Sequence, residues 1–160
     1  MNGDGTPDLL VGAPREWTGG INAGAAYLVT DRVEGEFSLS LATAKLVGEN
    51  AGDYAGGVVS DAGDVDGDGL GDVLVGGRVN QTDGHDAGAA HLLYGPLAGV
   101  VDLSDADAKF VGETGMYANV DLAGLGDINN DSYDDFVIGV SYHGSELGHP
   151  GAAFLFYGGP

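Results

Sequence analysis

A nine-residue segment in the middle of the chain carries four carboxylates at closely spaced positions. The segment reads DVDGDGLGD, residues 64–72, and leads directly into the apolar run 73–75. Carboxylates held this close repel one another and raise one another's pKa values. A hard dication that accepts about six to eight oxygen ligands relieves the repulsion, and calcium is the usual ion of this kind. The spacing therefore predicts a calcium-binding loop.

The same loop occurs three times along the chain. Asp4, Asp68 and Asp131 occupy one position in the three copies and are almost evenly spaced. The tripeptide Gly-Ala-Ala recurs with the same spacing, beginning at Gly24, Gly88 and Gly151. The segments AKLVGE and AKFVGE begin one such step apart, and so do the pairs Tyr54-Ala55 and Tyr117-Ala118. Markers that stay in phase over the whole length indicate a repeat protein.

The composition limits the classes of partner. The chain has 160 residues, is 43% hydrophobic, and carries 25 acidic against 5 basic side chains, for a formal charge of −20. The apolar residues are numerous enough for a folded core. The negative charge argues against nucleic acid or an anionic membrane surface as partner, since both require basic patches. Cysteine is absent, which excludes disulfides and thiolate chemistry. No apolar run approaches the ~20 residues that a membrane-spanning helix needs, so we expect no direct membrane insertion.

Short apolar runs bounded by turn residues predict strands throughout. In the middle unit we expect four of them, at 54–62, 73–75, 89–94 and 108–111, with a polar connection over 78–87. The run 73–75 is apolar on both faces, which is typical of a strand covered on both sides. The 31 glycines give little support to helix, and the one helical expectation is a short turn within 97–108.

A repeat of this length with four strands per unit favours an all-β fold made of β-propeller blades, each with four antiparallel strands. We predict one partial propeller domain over residues 1–160, with blades at 1–53, 54–116 and 117–160 and about two and a half repeats in all. Propellers typically have about four to eight blades. We therefore expect either further blades in a longer chain, of which this sequence is a fragment, or self-association of copies through open sheet edges.

These motifs resemble a known family. Tyr-Ala in the first strand, the D-x-D-x-D-G-x-x-D loop, and an apolar strand that ends in Gly12-Ala13-Pro14 together resemble the FG-GAP repeat of integrin α-subunits. They also resemble bacterial secreted proteins with integrin-like repeats. The resemblance implies a seven-bladed propeller with calcium in the hairpin between the first two strands of a blade. It covers essentially the whole chain, although Gly-Ala-Pro is intact only once.

The resemblance also implies the ligands, which give two complete calcium sites and one truncated site. In each loop it implies side chains together with one backbone carbonyl. The second loop would use Asp64, Asp66, Asp68 and Asp72 with the carbonyl of Leu70. The third loop would use Asp127, Asn129, Asp131 and Asp135 with the carbonyl of Tyr133. The first loop, which lacks the leading acid, would use Asn2, Asp4 and Asp8 with the carbonyl of Thr6.

Two features qualify this assignment. Ser132 stands where the other loops have glycine. If that position requires a left-handed backbone, serine costs about 1 kcal/mol there and weakens the third site. An EF-hand, the main rival for the same letters, needs glutamate at position 12 of its loop and flanking helices. Counting from Asp64, position 12 is Val75, inside a strand-like run, so the EF-hand interpretation fails.

Catalysis has little support, and we predict that the chain is not an enzyme. The four histidines at 85, 91, 143 and 149 lie in or near connections between strands. Of these, His91 replaces Tyr27 and Phe154 at one repeat position, which favours packing or a surface role. Motifs for a nucleophile elbow, a phosphate loop or a zinc protease are absent. Trp17 is a candidate contact residue, or a rim side chain folded onto its own loop.

Two classes of function remain open. The preferred one, implied by the resemblance, is a calcium-stabilised propeller at the cell surface or secreted, which binds a protein or glycan as an extracellular adhesion scaffold. The alternative is the non-catalytic propeller portion of a secreted hydrolase or lyase, such as a phospholipase D-like enzyme. The residues that flank this segment in a longer chain would separate the two.

Overall fold

The computed structural model of the chain describes residues 1–30, 33–80, 87–112, 120–141 and 151–160. Four of the residues and markers considered above lie outside these ranges: the Tyr117-Ala118 marker, His85, His143 and His149.

The described part of the chain is all-β, as the sequence predicts. It contains strands and two 3₁₀ turns, Leu39–Leu41 and Leu103–Asp105, and no α-helix within the described ranges. The second of these turns confirms the short helical turn expected within 97–108. The strands are β1 Leu9–Ala13, β2 Ala25–Val29, β3 Ala44–Val47, β4 Val58–Gly63, β5 Asp72–Asn80, β6 Ala87–Leu93, β7 Gly99–Asp102, β8 Ala108–Val111, β9 Val120–Gly126, β10 Asp135–Val140 and β11 Ala152–Phe156.

The strands form three sheets that follow one another along the chain. Their orders are β1-β2-β3-β7, β4-β5-β6-β8 and β9-β10-β11. Sequential strands pair antiparallel within each sheet, and the inner strands β4 and β9 of the second and third sheets pack against each other. The sheets are blades of a partial β-propeller, which confirms the predicted fold class.

The fourth strand of the first sheet requires a correction. Only antiparallel strands were expected, but β7 runs parallel to β3 and is contributed by the connection that precedes β8. The Gly99 N–H donates to the Thr43 carbonyl at 2.8 Å and begins the pairing. The added strand satisfies backbone groups on β3 that would otherwise form an open edge.

Strand boundaries in the second sheet also differ from the prediction. The inner strand was expected from Tyr54, but β4 begins at Val58. Tyr54 and Gly56 have φ values of 51° and 78°, and a left-handed backbone interrupts an extended chain. At the other side, β5 continues to Asn80 and β6 begins at Ala87, so part of the predicted connection over 78–87 belongs to strands.

The core lies between the sheets, and β5 contributes to both of its halves. Val73 and Val75 join the cluster shared with the first sheet, whereas Leu74 joins the cluster shared with the third sheet. All three side chains are fully buried. Because successive side chains of a strand point to opposite faces, this alternation confirms a middle strand covered on both sides.

Three aromatic rings join the second and third sheets. Phe110 on β8 lies 5.7 Å from Phe136 and 4.6 Å from Phe156, and the latter two rings stack at 5.1 Å between centroids. Such contacts add about 0.5–1.5 kcal/mol each to the stabilisation that burial provides. These three rings therefore help to hold the second and third sheets together.

The acidic loops lie at one end of the sheets. The second loop connects β4 to β5, the third connects β9 to β10, and the first leads into β1. The second and third loops are therefore each the hairpin between the first two strands of a sheet. No helix in the described part of the chain is long and apolar enough to cross a membrane.

Candidate metal centre

The second and third loops share one pattern of hydrogen bonds. Asp64 Oδ2 accepts from the Gly69 N–H at 3.0 Å, and Asp127 Oδ2 accepts from the Ser132 N–H at 2.9 Å. At the third acidic position of the second loop, Asp68 Oδ1 accepts from the Leu70 N–H at 2.7 Å. Equivalent bonds in the other two loops join Asp131 Oδ1 to the Tyr133 N–H and Asp4 Oδ1 to the Thr6 N–H. The carboxylates thus fold the backbone of each loop around themselves.

The last acid of the loop is a buried clamp. Asp72 is 0% exposed, and its two oxygens accept from the Val65 N–H at 2.8 Å and the Gly95 N–H at 2.9 Å. Asp135 is equally buried. It accepts from Ile128 and Gly158 at 3.0 Å each. Each clamp ties the start of its loop to the turn after the third strand of the sheet.

Three carboxylates of the second loop converge. Oxygen atoms of Asp64, Asp66 and Asp72 lie within 4.8 Å of one another, whereas Asp68 is exposed and stands outside this group. Asp64 Oδ1 is buried, and no donor among the described residues lies within hydrogen-bonding distance of it. A buried acceptor without a donor is costly, and a hard cation is the ligand that would satisfy it. The donor set therefore fits a calcium-sized dication.

The other two loops place their predicted ligands differently. Within the described ranges, neither brings three acidic oxygens together as the second loop does. In the third loop, Asp127, Asn129 and Asp131 are exposed, and the amide of Asn129 supplies a neutral oxygen in place of a carboxylate. In the first loop, Asn2 and Asp4 are exposed, but Asp8 Oδ1 is buried without a donor in the described part of the chain, as Asp64 Oδ1 is.

The surroundings of the second loop disfavour the ionised form of its buried carboxylate, Asp72. Burial raises the pKa of Asp72 to about 6, and the negative charges of Asp66 and Asp64 act in the same direction, against hydrogen bonds from Gly95 and Val65. In the exposed first loop, hydrogen bonds from Thr6 lower the pKa of Asp4. A cation at the shared centre of the second loop would favour the ionised form of Asp72.

Ser132 adopts the left-handed backbone on which the predicted steric cost depends. Gly5, Gly69 and Ser132 occupy equivalent positions, and their φ values are 78°, 88° and 79°. The position therefore requires a left-handed backbone, and Ser132 adopts it at a steric cost that glycine avoids.

Replacing Ser132 with glycine is expected to raise the free energy of unfolding by about 1 kcal/mol, because glycine adopts this φ without strain. The Ser132 backbone N–H keeps its bond to Asp127. The matched control is Asn130→Gly, at φ 62°. Asparagine tolerates the left-handed region well, so the gain there is expected to be smaller. Urea denaturation measures both variants, and equal or absent gains would contradict the strain argument.

His91 does not lie in an open site. It is 4% exposed, with Nε2 2.8 Å from Glu49 Oε1, and Glu49 also accepts from the Lys109 ammonium at 2.7 and 2.9 Å. Of the packing and surface roles predicted for His91, its burial supports packing. Glu49 was missed, because only the fold brings the segment after β3 next to β6 and β8. Trp17 is 64% exposed, and its indole N–H donates within the same loop, to Asn22 at 3.3 Å.

Comparison with known proteins agrees with the propeller fold. A family model described as "FG-GAP repeat" matches residues 1–29. Integrin alpha-PS2 of Drosophila melanogaster is 29% identical over 167 residues, covering 100% of this chain and 11% of the relative. Integrin alpha-PS5 of the same organism is 32% identical over 140 residues, covering 86% of this chain and 13% of the relative. The chain thus spans roughly a tenth of the length of these relatives.

Proposed function

The chain is an integrin-like FG-GAP repeat protein, and from that premise we propose that its acidic loops bind calcium and stiffen a non-enzymatic propeller that binds a protein or glycan outside the cell. The observation that carries the calcium assignment is the buried Asp64 Oδ1, which has no donor among the described residues and belongs to a group of converging carboxylates.

The ligands proposed for the second loop start from this group. Asp64, Asp66 and Asp72 supply converging oxygens, and we propose Asp68 and the Leu70 carbonyl as the remaining ligands. In the third loop we propose Asp127, Asn129, Asp131, Asp135 and the Tyr133 carbonyl. Asn2, Asp4, Asp8 and the Thr6 carbonyl form the truncated first site. Calcium supplies charge neutralisation and oxygen coordination at these positions.

The proposed role of the ion is structural. The second and third loops each close the hairpin between the first two strands of a sheet, and their carboxylates repel one another without a counter-ion. Binding to the folded loop stabilises the folded chain by mass action. The oxygens of the buried Asp72 and Asp135 already accept backbone hydrogen bonds, so a cation would add to a clamp that the fold has built.

The proposed ligand surface is the opposite end of the sheets. The connection between β1 and β2 lies there, since β1 runs away from the first acidic loop. Trp17 and Ile21 in this connection are each 64% exposed. Contiguous exposed apolar surface marks interaction sites, and these two large side chains lie in one short connection. The binding of a protein or glycan at this surface, and the extracellular location, are part of the proposal.

Removal of calcium is expected to lower the melting temperature by roughly 5–10 °C, given the size of the chain and two occupied sites. With a dissociation constant of about 0.1 mM and about 1 mM calcium, each occupied site adds about 1.4 kcal/mol. Differential scanning calorimetry with calcium and with a chelator measures the shift.

The matched control changes one ligand position in each of the two complete loops. The double variant Asp66→Lys with Asn129→Lys places ammonium groups where the cations of the two complete sites would sit, so its melting temperature should respond to the chelator much less than that of the wild-type chain. A wild-type chain whose melting temperature is the same in calcium and chelator would overturn the proposed calcium binding.

A further inference from the structure

The second and third loops are joined by a reciprocal pair of hydrogen bonds. The Asp134 N–H donates to the Asp64 carbonyl at 2.9 Å, and the Asp64 N–H donates to Asp134 Oδ2, also at 2.9 Å. These residues are 70 positions apart in the chain. Asp134 belongs by sequence to the third loop, yet its carboxylate holds the backbone of the first predicted ligand of the second loop.

A glycine makes room for this carboxylate. Gly63, immediately before Asp64, has φ 81°, and a Cβ built on it would lie 2.2 Å from Asp134 Oδ2. A side chain at residue 63 would therefore displace Asp134. The left-handed Gly63 and the bond from Asp134 together fix the direction in which the chain enters the second loop.

The turn of the second loop is held from the same side. A Cβ on Gly67 would lie 2.5 Å from Cε1 of Tyr133, so the tyrosine ring covers this turn. The Gly159 N–H donates to the Val65 carbonyl at 2.9 Å. The third sheet and its adjoining segments thus contact the second loop at three successive places, and two of these contacts come from adjacent residues, Tyr133 and Asp134.

The carboxylate contact is specific to this pair of loops. The repeat places Gly71 of the second loop and Pro7 of the first loop at the position of Asp134. Neither has a side chain that can accept a hydrogen bond. The ring contact, in contrast, has a counterpart, since a Cβ on Gly3 would lie 2.8 Å from the Leu70 side chain.

We propose that Asp134 is a positioning residue for the cation of the second loop rather than a ligand of its own loop. It fixes the Asp64 backbone, and through it the Asp64 carboxylate, from the neighbouring blade. This inference rests on the proposed calcium binding. Groups that orient metal ligands typically contribute about 10- to 100-fold to metal affinity, so loss of Asp134 should weaken the second site although its substitution lies in the third loop.

Calcium titration calorimetry on the whole chain tests this in two backgrounds. Asn129→Lys leaves the second loop as the complete cation site, and Asp66→Lys leaves the third. Adding Asp134→Ala is expected to weaken calcium binding about tenfold in the first background. In the second background the affinity should change less than about twofold. The opposite distribution, or no change in the first background, overturns the proposal.

Two further measurements separate positioning from general destabilisation. Asp134→Asn keeps an oxygen acceptor for the Asp64 N–H and should retain calcium affinity within about threefold of its parent, since the hydrogen bond survives. Amide hydrogen exchange at Asp64 should accelerate in Asp134→Ala and stay slow in Asp134→Asn. If Asp134→Ala fails to fold, Asp134→Ser, whose side chain is shorter, replaces it. Fast exchange at Asp64 in the wild-type chain contradicts the positioning role.

The two proposals fail in different ways. If the wild-type chain takes up no calcium, the proposed function fails, while amide exchange at Asp64 still reports whether Asp134 holds that backbone. If calcium binds but the second site does not depend on Asp134, only the positioning role fails.

Discussion

Replacing Asp72 with alanine is expected to lower the free energy of unfolding by about 4 kcal/mol even in the presence of a chelator, because two buried donors lose their acceptor. The carboxylate is fully buried and accepts from the Val65 and Gly95 N–H groups. Each unsatisfied buried group costs about 1–3 kcal/mol. In calcium the loss should be larger, because a predicted ligand is removed as well.

The control for Asp72 is Asp68→Ala in the same loop. Asp68 is exposed and accepts from the Leu70 N–H. When the carboxylate is removed, water can accept this hydrogen bond instead. In a chelator, Asp68→Ala is expected to lower the free energy of unfolding by less than about 1 kcal/mol. Urea denaturation of both variants, with calcium and with a chelator, separates the clamp from the cation. Equal losses for the two variants in the chelator would contradict the role of Asp72 as a buried clamp.

Glutamine in place of Glu49 is expected to lower the free energy of unfolding by about 3 kcal/mol at neutral pH, since removing one partner from a mostly buried ionic cluster leaves the remaining groups poorly compensated. Glu49 receives hydrogen bonds from His91 and Lys109 between the first and second sheets, and its side chain is 13% exposed. Glu49 follows β3 of the first sheet, whereas His91 and Lys109 belong to the second sheet. Loss of the Glu49 carboxylate should therefore weaken the contact between these two blades.

The contribution of Glu49 should also depend on pH in a defined direction. Burial raises its pKa, but the hydrogen bonds from Lys109 and His91 outweigh burial and hold the pKa below its ordinary value of 4.5. A carboxyl whose pKa is lower in the folded chain stabilises it above the unfolded pKa and loses that contribution as the pH falls through the folded pKa. The difference in stability between wild type and Glu49→Gln should therefore shrink below about pH 4.5.

A second ion pair serves as control for Glu49. Glu16 and Lys45 are 2.9 Å apart, but their side chains are 23% and 20% exposed. The variant Glu16→Gln is expected to cost below about 1 kcal/mol at neutral pH. A pH-independent difference for Glu49→Gln, or a loss no greater than that of Glu16→Gln, would contradict the importance of the inter-sheet cluster. Denaturation curves from pH 3 to pH 7 provide the measurement.

Features that depend on repeat spacing or on alternating burial along a strand could be predicted from the sequence. The acidic spacing locates the three loops, the regular recurrence of the markers locates the strands, and the run 73–75 identifies a strand buried on both sides. The strain at Ser132 is also predictable, because glycine occupies its position in both other loops and the backbone there is left-handed. These features depend on local chemistry, which one sequence contains.

Features that depend on contact between blades were not predictable from the sequence. The strand β7 reads as an ordinary connection, since nothing local in Gly99-Val100-Val101 indicates that it pairs with β3 of another unit. Asp134 reads as a second acid beside Asp135, because its bond to Asp64 spans 70 positions of the chain. The Glu49 cluster likewise joins segments from two units. Each is a through-space relation that repeat spacing alone does not specify.

The parallel strand β7 has a consequence for how such chains can be duplicated or shuffled. Cutting between residues 53 and 54, where the sequence repeat divides, would deprive the first sheet of its outermost strand and transfer that strand to the excised copy. The first two sheets therefore interleave in the sequence, because β7 of the first sheet lies between β6 and β8 of the second. A break after Asp102 would keep β7 with the first sheet but separate β8 from the rest of the second sheet, so exchange between such chains preserves both outer borders only when residues 9–111 move as one unit.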